Sequence, residues 1–74
     1  MNLNATEQRL VDFLRAHPGA WFSREELRDR ALGEKYAVGT AAAYFSSARS
    51  KLGAAGRLES TVVARGVTMF RSAP

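Results

Sequence analysis

Three serines, Ser46, Ser47 and Ser50, fall close together beside Arg49 and Lys51. A hydroxyl acts as a nucleophile only when a base stands within reach. The sole histidine, His17, is far from them in the pattern. The serines are therefore read as hydrogen-bonding groups, able to donate and accept, with two cations that suit an anion beside them. Glu25-Glu26 looks like a carboxylate pair for acid–base work, but it opens a predicted helix, where acidic side chains favour the positive end of the dipole. His17 precedes a proline at a helix end, where an imidazole can meet free carbonyls. With no cysteine, disulfides and thiolate metal sites are excluded, and His17 cannot make a metal site alone. No phosphate loop, nucleotide fingerprint or zinc spacing is present. The expectation is a protein without cofactors that is not an enzyme.

The elements that must position these residues follow from local signals. Asn4 to His17 reads as a first helix, with Asn4 and Glu7 in a capping-box pattern and Leu10, Val11, Phe13 and Leu14 as its apolar stripe. Pro18-Gly19 ends it. Ala20-Trp21-Phe22 is a short aromatic strand, its rings expected between the first helix and the C-terminal segment. Ser23 caps a second helix with Glu26 at the third position, Leu27, Ala31 and Leu32 inside, and Gly33 at its end. Glu26 and Arg30 have the spacing of an ion pair. After a loop from Glu34 to Gly39, a third helix runs from about Thr40 to Leu52, closed by Gly53 and Gly56. At 100° per residue, Ala41, Phe45, Ala48 and Leu52 share the inner face, with Tyr44 at its edge. Ala43, Ser46, Ser47 and Ser50 point the other way, flanked by Arg49 and Lys51. From Leu58 to Arg71 the β-branched residues predict strands, with Arg65-Gly66 as the turn of a hairpin.

A chain of 74 residues has room for one domain, here 1–74 with about 4–71 ordered, and a thin core. No apolar run approaches the roughly 20 residues needed to cross a bilayer, and the opening residues lack a signal-peptide pattern. A cytoplasmic protein is expected, with no membrane partner. Abundant Ala, Arg and Gly hint at a bacterial or phage source. The net charge of +4 is unevenly spread: residues 1–34 hold five basic and six acidic side chains, whereas residues 35–74 hold six basic ones against Glu59 alone. A basic half of this kind suits a polyanion. Arg57 and Arg71 are read either as solvated charges or as flanking phosphate contacts.

Helix, short strand, helix, helix and hairpin is the layout of a winged helix, an α+β fold whose third helix can enter the major groove while the hairpin wing reaches backbone or minor groove. Several segments sharpen this. Leu3-Asn4-Ala5-Thr6-Glu7 with Leu10-Val11 and Phe13-Leu14, then His17-Pro18-Gly19 and Phe22-Ser23-Arg24-Glu25-Glu26-Leu27, then Thr40 through Arg49-Ser50-Lys51-Leu52, and Arg65-Gly66-Val67 with Phe70-Arg71 resemble the DNA-binding effector domain of OmpR/PhoB-type response regulators. The likeness covers roughly residues 3–71. It departs from that family in having neither the opening antiparallel sheet nor a receiver domain, so a stand-alone domain without phosphorylation control is expected.

The resemblance implies backbone contacts from Thr40, Tyr44 and Arg49, base-facing positions at Ala43 and Ser47, and Arg65 at the wing tip. Family members usually carry arginines where this chain has Ser46 and Ser47. Losing a bidentate guanine contact removes roughly 1–3 kcal/mol of discrimination, so sequence preference is expected to be modest or to rest on DNA shape. The expected partner is double-stranded DNA, bound by Thr40, Ala43, Tyr44, Ser46, Ser47, Arg49, Ser50, Lys51 and Arg65, with a homodimer on DNA an open option. The alternative is a winged-helix interaction module for a protein such as RNA polymerase, since a small uncharged face also admits a close protein surface.

Overall fold

Two capping boxes start the first two helices of the computed structural model, which describes residues 2–74. In α1 (Ala5–Ala16) the Asn4 side chain accepts from the Glu7 N–H at 2.8 Å while Glu7 Oε1 accepts from the Asn4 N–H at 2.9 Å. In α2 (Arg24–Leu27) Ser23 and Glu26 repeat the exchange at 3.2 and 3.1 Å. Each box satisfies two donors that a helix start leaves unpaired.

α2 widens into a π-helical stretch over Arg28–Leu32 and ends at Gly33, whose φ of 108° few side chains adopt. Widening moves Arg30 off the position one regular turn above Glu26. The expected Glu26–Arg30 ion pair is absent among the described residues: Glu26 serves its cap, and the Arg30 guanidinium stands 5.9 Å from the Phe22 ring centre.

α3 (Val38–Leu52) begins two residues before Thr40, with Ala37 as a cap that offers no side-chain acceptor. Ala41, Phe45 and Ala48 are buried and Leu52 is half-buried against the same core. A 3₁₀ turn, Gly53–Gly56, leads into β2 (Leu58–Ala64), which returns as β3 (Val67–Ser72). β1 is only Phe22–Ser23. It pairs with β3, Phe22 opposite Phe70, so the antiparallel sheet runs β1-β3-β2.

The core lies between the three helices and one face of this sheet. Leu10, Val11, Leu14, Leu27, Leu32 and Phe45 are almost wholly buried, and the Phe45 and Phe70 rings meet at 4.6 Å. Strand alternation sends Phe22, Leu58 and Phe70 inward. It sends Trp21, Glu59 and Arg71 to the outer face.

Trp21 thus departs from its expected core position. It is 37% exposed, with the Arg71 guanidinium 4.4 Å from its ring centre. His17 departs too. Its ring lies 5.0 Å from Phe13 and 5.9 Å from Phe22, and it makes no side-chain hydrogen bond to a carbonyl among the described residues.

The hairpin turns at Arg65 and Gly66, with φ of 45° and 79°. Positive φ at both positions makes a type I′ turn, whose twist matches that of the flanking strands. The ladder pairs Val62 with Thr68 and then Ala64 with Val67, leaving Val63 as a bulge just before the tip. No described helix is long and apolar enough to cross a membrane.

Candidate nucleic-acid interface

Helical geometry gives α3 an outer face of Gly39, Ala43, Ser46, Arg49 and Ser50, all exposed. Four of the five are small, so backbone and partner can approach closely. Beside this face an open cleft of about 520 Å³ is lined by Ser46, Arg49, Ser50, Gly53, Ala54 and Leu58. Arg49, one of the lining residues, donates to the Ser60 hydroxyl of β2 at 3.2 Å. That contact joins helix and hairpin into one surface. None of the cleft residues is acidic.

Two expected members of the face are elsewhere. Ser47 is half-buried and its hydroxyl donates to Glu7 Oε2. Lys51, one turn further along, places its ammonium 2.7 Å from Glu7 Oε1. Both side chains therefore turn toward α1 and not toward solvent, which corrects the outward orientation expected of Ser47 and leaves Lys51 already neutralised. The cause lies in another element. Glu7 stands three, four and seven residues before Leu10, Val11 and Leu14, on the stripe of α1 that faces the core, and its side chain is 2% exposed. A buried carboxylate needs donors. The Lys51 ammonium, the Ser47 hydroxyl and the Asn4 N–H supply them, and they hold the Glu7 carboxyl down at about 2 against the usual 4.5. The spacing of Glu7 ahead of three core residues was the available signal, and the cap pattern alone hid it.

Comparison with family models, curated proteins and solved structures found no match to this chain. The remaining site residues are placed by geometry. Thr40 and Tyr44 are half-buried on the flank of α3 that also carries Ser47 and Lys51, and Tyr44 packs on the core. Arg65 stands exposed at the hairpin tip, without a hydrogen-bond or ion-pair partner among the described residues.

Of the other C-terminal cations, Arg71 is held by Glu59 at 2.6 Å and by Trp21. Arg57 donates to the Pro74 carbonyl at 3.1 Å, and the Lys35 ammonium lies 5.9 Å from the Tyr36 ring centre. Arg71 is thus a structural charge and not a free flanking contact. The exposed face is left with Arg49 on the helix and Arg65 at the tip. Ser60 and Arg65 are five residues apart along the strand, roughly 16 Å. The structure brings Ala43, Ser46, Arg49 and Ser50 together, and it adds Ser60, which the sequence pattern had not singled out. No cluster of potential metal ligands occurs among the described residues.

Proposed function

We propose that this chain is a winged-helix module that binds double-stranded DNA, with the outer face of α3 in the major groove and the hairpin tip on the backbone or in the minor groove. One observation carries the reading. A solvent-facing helix surface with an arginine and no carboxylate continues, through the Arg49–Ser60 contact, into a hairpin that holds a second arginine at its tip. The sheet order, with β3 between β1 and β2, is compatible with a winged helix.

The turn supplies further support. Arg65 sits at a left-handed φ of 45°, where Gly, Asn or Asp is favoured. A strained placement that presents an unpartnered guanidinium suits a contact better than it suits stability.

On this reading Ser46 stands exposed at a position where OmpR/PhoB-type domains usually carry an arginine. Binding rests mostly on phosphate, with modest sequence preference. Cytoplasmic action as a regulator without enzymatic chemistry accords with this reading.

Titrating a short duplex at two salt concentrations tests it. With about two phosphates neutralised, the association constant should fall on the order of twelve-fold between 50 and 200 mM salt. Affinity that is flat over that range, or no binding at low salt, rejects the reading.

A second reading has its own observation. Val62, Val63 and Val67 are 65, 60 and 46% exposed, so the hairpin is more apolar than a phosphate-binding wing requires. A protein-binding winged helix would use that surface, and a partner retained by pull-down after nuclease treatment, and lost in Val62→Lys, would favour it.

A further inference from the structure

Ser46, Arg49 and Ser50 bring three hydrogen-bond-donating side chains to the cleft beside α3. Gly53, Ala54 and Leu58 complete its lining without adding a charge. From β2 the Ser60 hydroxyl accepts from Arg49 Nη1 at 3.2 Å. A guanidinium has several N–H donors in a fixed fork, and Ser60 is the one acceptor that Arg49 meets among the described residues. Strand alternation puts Glu59 on the opposite face of β2, where Arg71 holds it at 2.6 Å. No carboxylate competes for the cleft.

We infer that this cleft seats the phosphate of a small phosphomonoester, with Arg49 as its charged anchor and Ser46 and Ser50 as hydroxyl donors. The planar fork of an arginine matches a pair of phosphate oxygens. Hydroxyls beside the fork serve the third terminal oxygen, which a monoester has and a backbone diester lacks. A monoester also carries about −1.5 to −2 charges at pH 7, against the single charge of a diester. The cleft volume of about 520 Å³ far exceeds one phosphate group and matches small-ligand sites, roughly 300–1,000 Å³. The remaining room suits an organic group of sugar size beside Ala54 and Leu58. Ser60 is a positioning residue: its bond fixes the guanidinium before the ligand arrives, so less side-chain freedom is lost on binding.

The seat itself does not depend on duplex binding, but its consequence rests on that reading. Arg49 is there the helix's contact to DNA phosphate, and one guanidinium cannot serve both ligands. An occupied cleft releases the duplex, which gives a stand-alone module a means of control by a small anion. With one charged anchor in an open cleft, the dissociation constant should be on the order of 1 mM.

NMR titration of the full chain without DNA, at an ionic strength held constant with sodium chloride, tests the seat. Ribose 5-phosphate is the monoester probe, dimethyl phosphate the diester and ribose the uncharged control. Ribose 5-phosphate should shift the amides of Ser46, Arg49, Ser50 and Ala54 saturably, with a midpoint of about 1 mM. Dimethyl phosphate should bind about fivefold more weakly, and ribose not at all. Arg49→Ala should abolish saturation. Ser60→Ala should weaken it about threefold, and Ser60→Thr, which keeps the hydroxyl, should restore it. Both positions are exposed, and amide dispersion reports that each variant is folded. At about 10 mM, ribose 5-phosphate should then lower duplex affinity about tenfold. Equal responses to the two phosphates assign the seat to the DNA backbone and overturn the monoester. Shifts that gather around Arg65 or Lys35, or that survive Arg49→Ala, overturn the seat altogether. A filled cleft that leaves duplex affinity unchanged overturns the control and removes Arg49 from the duplex contact. In a chain that binds no duplex, the DNA-free titration still decides the seat.

Discussion

At Glu7 one carboxylate serves two helices. It closes the cap of α1 and receives Ser47 and Lys51 of α3. Its depressed acidity makes stability depend on pH in a definite direction. The carboxyl ionises at about 2 in the folded chain against 4.5, so the folded state binds fewer protons than the unfolded one between those values. Its contribution is therefore complete above about pH 4.5 and is lost as pH falls toward 2. Glu26, lowered by the hydrogen bonds of Ser23, acts in the same sense. Glu7→Gln should lower the urea midpoint at pH 7 and flatten its decline between pH 4.5 and 2, as chemical denaturation across that range would record. Lys51→Met separates structure from binding. Removing the ammonium leaves Glu7 buried without its counter-charge, so acid unfolding should begin at higher pH. The salt dependence of duplex affinity should not change, because Lys51 has no charge to spare for phosphate. A slope reduced by about one in Lys51→Met would mean that Lys51 leaves Glu7 on binding.

The hairpin and the helix starts differ in how they were encoded. Asn4 with Glu7, Ser23 with Glu26, and Pro18-Gly19 act within a few residues of themselves, so their outcomes could be read from the chain directly. The Arg65-Gly66 turn was legible for the same reason. The inner or outer orientation of Ser47 was not, because it depends on a carboxylate 40 residues away. The π-helical stretch in the second helix likewise has no local signature. Its first residue is Arg28, whose guanidinium donates to the Tyr36 carbonyl at 2.9 Å and fastens the loop before α3. Half the reading face was therefore legible: a wheel finds Ala43, Ser46 and Ser50, but it cannot assign the flank that α1 covers. The turn allows a test at this scale. Arg65→Asn gives the Asn-Gly pair that type I′ turns favour. It should raise stability by about 0.5–1 kcal/mol through relief of the left-handed strain, while weakening duplex affinity. Thermal unfolding and the same salt titration report the two effects separately. If stability and affinity both fall, Arg65 is making a folded-state contact and its strained placement needs another cause.

For the molecule as a whole, the six cations of residues 35–74 overstate what a duplex would meet. Glu7 and Glu59 reach across the fold to neutralise Lys51 and Arg71, so the basic half is not a continuous ridge. What remains on the proposed face is two cations, one on α3 and one at the hairpin tip. They are separated by roughly 16 Å of strand, more than a Debye length at physiological salt, about 8 Å. At that separation each should act as an independent phosphate contact, and mutational effects should add. Arg49→Ala and Arg65→Ala should each reduce the slope of log K against log salt by about 0.9, and the double variant by about 1.8. Additivity would mean that helix and hairpin engage one duplex at once, each through its own charge. A double variant no weaker than either single one would mean that the two arginines never touch the same DNA, and the helix-plus-wing mode of binding would fall with that result.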